Sequence, residues 1–156
     1  MRKTVAFTLL LLVLITLAGC SKKPADLDLE ALPGVVEQTD LFGPLIYAEG
    51  QTLIDMAGVD PALVDRGVFA LPVLIVHASG YVVALPAAGA KQALSDALQQ
   101  WLKDCEAVWA NYLPDQHDLV IHRLETEIVT QQGTYIVIII SRDNEAVLDA
   151  IKSCLI

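Results

Sequence analysis

The stretch Thr134-Tyr135-Ile136-Val137-Ile138-Ile139-Ile140-Ser141 decides the fold. A strand with one solvated face alternates apolar and polar residues, whereas Ile136–Ile140 is apolar without a break. We therefore expect an interior strand covered on both faces. Gln131-Gln132-Gly133 predicts the turn before it, and Glu127–Thr130 supplies the partner strand of a hairpin.

A second hairpin is predicted earlier in the chain. Val73–His77 and Tyr81–Leu85 are rich in β-branched residues, and Ala78-Ser79-Gly80 between them indicates a turn. Pro72 is expected to mark the beginning of the first strand, because proline cannot donate a hydrogen bond within a central ladder.

Each hairpin is followed by a predicted amphipathic helix. The first runs from Ala90 to Tyr112, before Pro114, and the second follows Arg142-Asp143-Asn144. Apolar residues at spacings of three and four define their buried stripes. The first stripe contains Leu94, Leu98, Trp101, Cys105, Val108 and Tyr112, and the second contains Val147, Leu148, Ile151, Cys154 and Leu155.

The two hairpin–helix units resemble each other. An offset of 54 residues aligns Tyr81 with Tyr135, Leu94 with Leu148 and Trp101 with Leu155. An internal repeat would produce this match, and so could apolar periodicity alone. The predicted fold class is α+β: a mostly antiparallel four-stranded sheet from two β-hairpins, each followed by a helix packed on the sheet. Short helices are expected near the N-terminus, at Gln51–Ala57 and after Asp60.

The first 20 residues have the features of an export signal. Arg2 and Lys3 precede an apolar run, Val5–Ala18, that is too short for a comfortable membrane span. The run ends in Leu17-Ala18-Gly19-Cys20, which resembles the lipobox of bacterial lipoproteins, so we expect Cys20 to carry lipid. The alternatives are an ordinary secretory signal with a chance cysteine, or an uncleaved anchor.

Charge and length limit the functions and the domain organisation that the remaining chain can have. The 156 residues carry a formal charge of -9, and removing residues 1–19 takes away Arg2 and Lys3 and no acidic residue, leaving -11. This acidity argues against nucleic-acid binding. We expect a signal peptide at 1–19, a tether at 20–26 and one α+β domain at 27–156. Its expected location is the extracytoplasmic side of a cell membrane, anchored through Cys20.

Several segments resemble one family of bacterial proteins. They are Leu71-Pro72, Tyr81-Val82-Val83, Asn111-Tyr112-Leu113-Pro114, Gly133-Thr134-Tyr135-Ile136-Val137 and Val147-Leu148-Asp149-Ala150-Ile151-Lys152. Their order between Val59 and Leu155 is similar to that in small lipoproteins carrying domain of unknown function 4358. The resemblance implies export, lipidation and an α+β fold, but no reaction or catalytic residue. Family members tend to carry an acidic residue in the first hairpin turn, where this chain has Ser79-Gly80.

The densest group of titratable residues is Asp115, His117, Asp118 and His122. A histidine between carboxylates can act as a general base or bind a metal ion. His117 and His122 are five residues apart, however, which places them on different faces of one helix. The alternative interpretation is a solvated segment that follows the long helix.

Cys105 and Cys154 form a candidate disulfide, because both lie on inward stripes of helices expected to pack side by side. Outside the cytoplasm such a bond is permitted. The alternative is two buried thiols that act as small apolar core residues.

The aromatic residues of the first helix allow a weaker hypothesis. Trp101, Trp109 and Tyr112 could form a platform for a sugar or aromatic ligand. Trp101 and Tyr112 lie on the predicted buried stripe, whereas Trp109 lies at its edge, where its ring could be exposed.

Three functional hypotheses remain. The first is a non-catalytic binding or assembly module at the cell envelope, with a protein or small-molecule ligand and no cofactor. The second is an envelope hydrolase or metal-dependent protein that uses Asp115, His117, Asp118 and His122. The third is a structural role in which the acidic surface meets basic partners.

Overall fold

The computed structural model describes residues 23–73, 77–112 and 114–156. The helices are α1 (Leu32–Glu37), α2 (Gly50–Ala57), α3 (Lys91–Tyr112), α4 (Pro114–Ile121) and α5 (Asn144–Ser153), with a 3-10 turn at Pro61–Leu63. The strands are β1 (Leu45–Tyr47), β2 (Val64–Pro72), β3 (Gly80–Pro86), β4 (Leu124–Val129) and β5 (Thr134–Ile140). Across these ranges no helix combines the length and the apolar composition needed to cross a membrane. The predicted signal peptide and Cys20 lie outside the described residues.

The five strands form one antiparallel sheet in the order β1-β2-β3-β5-β4. β5 is an interior strand, in which Ile138 pairs with Val82 of β3 and with Glu125 of β4. Its last four residues, from Val137 to Ile140, are buried. The predicted α+β class and the interior position of this strand are therefore confirmed.

The first hairpin differs from its prediction. The strand that pairs with β3 is β2, which ends at Pro72 instead of beginning there, and 74–76 lie outside the described residues. The polar sequence Asp65-Arg66-Gly67 near the start of β2 interrupts its apolar pattern, so apolar runs in the sequence do not predict this strand. The three-residue strand β1 pairs with the end of β2, so the sheet has five strands where four were predicted.

Each face of the sheet carries its own core, because successive residues of a strand point to opposite sides. Val82 and Ile138 belong to the first core, which packs against α2, α3 and α4. Val83 and Val137 belong to the second core, which packs against α1 and α5. The sheet is thus covered by helices on both faces.

The two long helices lie on opposite faces, which corrects the predicted repeat. Tyr81 and Tyr135 share the second core, as a repeat requires, but Leu94 lies in the first core and Leu148 in the second. The reason is the unbroken apolar character of β3 and β5. If both helices covered one face, the apolar side chains of the other face would remain in water. The cost in folding free energy would be about 25 cal/mol for each Å² of apolar surface left exposed.

Residues 23–27, which we call the N-terminal latch, are attached to the domain. The amide of Ala25 donates to Ile156 O (2.6 Å), the amide of Ile156 donates to Asp26 O (3.1 Å), and Leu27 is buried. The amide of Gln131, in the β4–β5 turn, donates to Pro24 O at 3.0 Å. The prediction of a tether through residue 26 is therefore wrong for its last part, because the C-terminus and this turn supply partners for its backbone.

Candidate functional site

A groove with a volume of about 650 Å³ opens between α2 and α3 on the first-core face. Leu71 and Pro72, at the end of β2, form its floor together with His77 and Ala78. Residues 54–58, at the end of α2 and just after it, form one bank. The other bank is formed by α3, through Ala97, Gln100, Trp101, Asp104, Cys105, Val108 and Trp109. We call this feature the α2–α3 groove.

The rotation of α3 about its axis decides which side chains face the groove and the core. At 3.6 residues per turn, successive residues are about 100° apart. Leu94, Leu98, Leu102, Cys105 and Trp109 consequently fall within an arc of about 80°, and Val108 falls outside that arc. Leu102 has no exposed surface, whereas 45% of Val108 is exposed. The predicted stripe was therefore rotated by part of a turn: it omitted Leu102 and Trp109 and wrongly included Val108.

Both tryptophans of the protein line the groove. Trp101 is 7% exposed and Trp109 is 6% exposed, so the suggestion that Trp109 lies at an exposed edge is wrong. The indoles form part of a wall, and an open aromatic platform does not result. The side chain of Tyr112 lies outside the described residues. The four-residue spacing of Trp101, Cys105 and Trp109 was the sequence signal for this wall.

Two carboxylates stand on the banks of the groove. Asp55 on α2 accepts a hydrogen bond from Gln51 Nε2 (2.8 Å), and Asp104 on α3 accepts one from Gln100 Nε2 (2.9 Å). Both aspartates are exposed, and within the described ranges neither has a Lys, Arg or His partner in an ion pair. Each carboxylate therefore has acceptor capacity left for a bound molecule.

Residues 77–79, just before β3, are held against α4. The backbone amide of Ala78 donates to Gln116 Oε1 on α4 at 2.9 Å, which ties this segment to the helix. His77 is half-buried on the groove floor and lies beside Gly43, where a Cβ would be 3.6 Å from His77 Cδ2. Sequence reasoning missed the role of Gln116, since no local pattern marks a contact across 38 residues.

The two cysteines of the described chain are free. Cys105 packs at the first core and Cys154 lies in the second, so the candidate disulfide is not formed, because the sheet separates the two helices. Of the two alternatives, the structure favours small apolar packing residues. Burial, with a smaller contribution from the Asp104 carboxylate, raises the pKa of Cys105 to about 11. Burial also raises the pKa of Cys154, whose thiol is near Ala150 O at 3.7 Å.

The predicted titratable cluster lies on and just after α4. Asp115, Asp118 and His122 are exposed, and His117 is half-buried. Among the described residues, no three or more His, Cys, Asp or Glu side chains are arranged to hold a metal ion. The cluster also lies outside the lining of the α2–α3 groove. These four residues are therefore close in the sequence, but the structure does not bring them together in a geometry that binds a metal ion.

Comparison with known proteins gives no further assignment: no family model, no curated protein and no solved structure matches the chain.

Proposed function

We propose that this chain is a lipid-anchored extracytoplasmic module whose α2–α3 groove binds a small, largely apolar molecule without chemical conversion. The groove is the observation that carries the proposal. Its volume of about 650 Å³ falls within the range of about 300–1,000 Å³ usual for small-molecule sites. Its lining combines two indoles and aliphatic side chains with a few polar groups, which is the usual composition of such sites.

The anchor in this proposal is Cys20, which follows the lipobox-like Leu17-Ala18-Gly19. Three residues lie between Cys20 and Pro24, so the two are at most about 14 Å apart. Because the latch begins near Pro24 and is hydrogen-bonded to Gln131, a lipid on Cys20 would hold this end of the domain close to the membrane.

The groove floor lies at the other end of the sheet. β3 runs from Gly80, next to the floor, to Leu85, beside Gly133 of the β4–β5 turn, where a Cβ would be 2.8 Å from Leu85 Cδ1. At about 3.4 Å per residue, the five steps from Gly80 to Leu85 separate the two ends by roughly 17 Å. We infer that the floor of the groove faces away from the anchored end.

The hydrolase or metal-protein alternative has less support. It would require Asp115, His117, Asp118 and His122 to converge, and in the described part of the chain they form no metal-holding group. No match to an enzyme family favours catalysis either. The binding module is therefore the function that we propose.

Mass spectrometry tests the anchor. Protein purified from its native membrane should show, under denaturing conditions, the mass of acyl groups on a chain that begins at Cys20. The Cys20→Ser variant should lack that mass and should no longer sediment with membranes. Unlipidated wild-type protein in the membrane fraction would refute the anchoring part of the proposal.

Tryptophan fluorescence tests the groove, because both indoles line it. Full-length protein in lipid nanodiscs is titrated with neopentylbenzene, a neutral apolar probe. We expect a saturable change in emission, lost in Ala97→Phe, which fills the groove from α3. Ala93→Phe, exposed one turn earlier on the same helix, is the matched control and should bind normally. Equal binding by both variants would place the probe elsewhere.

A further inference from the structure

Asp55 and Asp104 are the acidic side chains that line the α2–α3 groove, and among the described residues His77 on its floor is the only basic one. Asp55 and Asp104 stand on opposite banks, while its lining contains no Lys or Arg among the described residues. Each carboxylate is hydrogen-bonded by a neutral glutamine amide, which leaves its negative charge uncompensated. A bound anion would face both carboxylates without a neutralising lysine or arginine, whereas a bound cation would be attracted by both.

The aromatic wall supplies the apolar contacts of the groove. Trp101 and Trp109 lie on the α3 bank that also carries Asp104. Both indoles line the groove and can contact the apolar part of a bound ligand. One bank thus offers contacts to an apolar body and to a positive charge.

We propose that the α2–α3 groove selects an organic cation, with an apolar body packed on Trp101 and Trp109 and a positively charged amine or quaternary ammonium group held by Asp55 and Asp104. This inference rests on the proposed function and specifies the ligand class of the same site. Selectivity for the positive charge comes from the two carboxylates together, because each exposed carboxylate alone contributes little in water. The indoles contact the apolar body, which the cation and its neutral isostere share.

Three probes of similar size separate charge from shape. Benzyltrimethylammonium is the cation, neopentylbenzene is its neutral isostere, and phenylmethanesulfonate is the anion. Each is titrated into the full-length protein in nanodiscs, with empty nanodiscs as the blank, and tryptophan emission is recorded. We expect the cation to bind about tenfold more tightly than the neutral isostere, and the anion more weakly than both. Raising the salt concentration should reduce the preference for the cation.

Matched variants assign the preference to the carboxylates. Asp55→Asn and Asp104→Asn should each reduce it by about threefold, and the double variant should bind the cation and the isostere equally well. Asp96→Asn is the control, because exposed Asp96 accepts a hydrogen bond from Gln92 four residues earlier (2.9 Å), as Asp104 does from Gln100 (2.9 Å), but lies outside the groove. It should leave the preference unchanged.

The outcomes distinguish the selection of a cation from the binding of an apolar molecule, which is the proposed function. Equal affinity for cation and isostere in the wild type, or a preference that survives in the double variant, would overturn the cation assignment and leave apolar binding intact. Absence of binding by all three probes would refute the proposal that the groove is a ligand-binding site. Lipidation of Cys20 is measured separately by mass, so neither result depends on the anchor.

Discussion

Asp26 contacts three distant parts of the chain, two through its carboxyl group and one through its backbone. It accepts a hydrogen bond from the Tyr135 hydroxyl (2.7 Å) and forms an ion pair with Arg66 Nη1 (2.7 Å), while its backbone pairs with Ile156. Burial opposes its ionisation, but the Tyr135 hydrogen bond, the Leu27 amide and the Arg66 charge outweigh this and lower the pKa of Asp26. The latch is therefore held by an ionised carboxylate.

Replacing Asp26 tests this latch. Asp26→Ala leaves the Tyr135 hydroxyl and the Arg66 guanidinium without their shared partner, so we expect the free energy of unfolding to fall by about 1–3 kcal/mol. Urea unfolding at neutral pH measures the loss. Asp149→Asn, at an exposed position of α5, is the control and should change stability by less than about 0.5 kcal/mol.

Asp26→Asn tests the pH dependence of the same contact. Because the pKa of Asp26 is lower in the folded protein than its ordinary value of 3.8, its contribution is complete above that value and is lost as the pH falls through the folded-state pKa. Wild-type stability should consequently decline more steeply below about pH 4 than that of Asp26→Asn. Parallel declines would show that other carboxylates carry the acid sensitivity.

The two free thiols, half-buried Cys105 and buried Cys154, give a further prediction at the scale of single residues. With the pKa of Cys105 at about 11, little thiolate exists near neutral pH, so iodoacetamide should alkylate the folded protein roughly a hundredfold more slowly than a free thiol. After unfolding without reductant, mass spectrometry should show alkylation of both Cys105 and Cys154. An unfolded protein that resists alkylation until reduced would contradict the observed separation of the two cysteines.

The orientation of α3 is tested by two truncations six residues apart. Leu102→Ala should lower the free energy of unfolding by about 2–4 kcal/mol, because Leu102 is fully buried in the first core. Val108→Ala should cost less than about 0.5 kcal/mol, because Val108 is 45% exposed. Denaturant unfolding compares them. A larger loss for Val108 would instead support the stripe that was predicted from sequence.

Glycine is required where β2 and β3 approach each other. A Cβ at Gly67 would lie 2.6 Å from Val83 O and 2.9 Å from Ala84 Cα, so the backbone would have to shift. We expect Gly67→Ala to cost about 2 kcal/mol or more in unfolding free energy. Gly34→Ala is the control: a Cβ there meets nothing within 4 Å, and alanine in α1 should be neutral or stabilising by up to about 1 kcal/mol. Equal effects would contradict the close approach.

At the scale of the whole molecule, the latch and the groove floor lie toward opposite ends of the sheet. The β4–β5 turn contacts the latch, and α3 runs from Lys91, which is paired with Glu127 near that turn (2.7 Å), toward the other end. Ala107 lies 16 residues beyond Lys91, about 24 Å along the helix axis. Under the proposed anchor, the membrane therefore approaches Gln132 and not Ala107.

Fluorescent labels test this orientation. Bimane is attached to a cysteine introduced by Gln132→Cys or by Ala107→Cys, both at exposed positions. The labelled protein is then bound to membranes whose lipids carry a nitroxide quencher on the headgroup. Quenching should be strong at residue 132 and weak at residue 107. The native thiols of Cys105 and Cys154 should label slowly, and unsubstituted protein serves as the blank. Equal quenching at both positions would exclude the proposed orientation even if Cys20 is lipidated.

Local patterns predicted much of the fold and little of the site. α2 ends at Gly58 with φ 63°, and the Asp60 side chain accepts from the Ala62 amide before Pro61–Leu63, both as expected from adjacent residues. β2 was misplaced because Asp65-Arg66-Gly67 interrupts its apolar pattern. Asp55 and Asp104 could not be recognised as partners, because only packing of two helices on one face brings them to one groove.

The sequence by itself determined the α+β class, the interior strand at Thr134–Ile140 and the helices that follow β3 and β5, because apolar periodicity is a property of neighbouring residues. The tertiary structure alone decided which face each helix covers, where the latch attaches and where the groove lies. These depend on contacts between distant segments, such as Asp26 with Tyr135 across 109 residues. Such contacts form only when burial of both faces of one sheet brings the segments together.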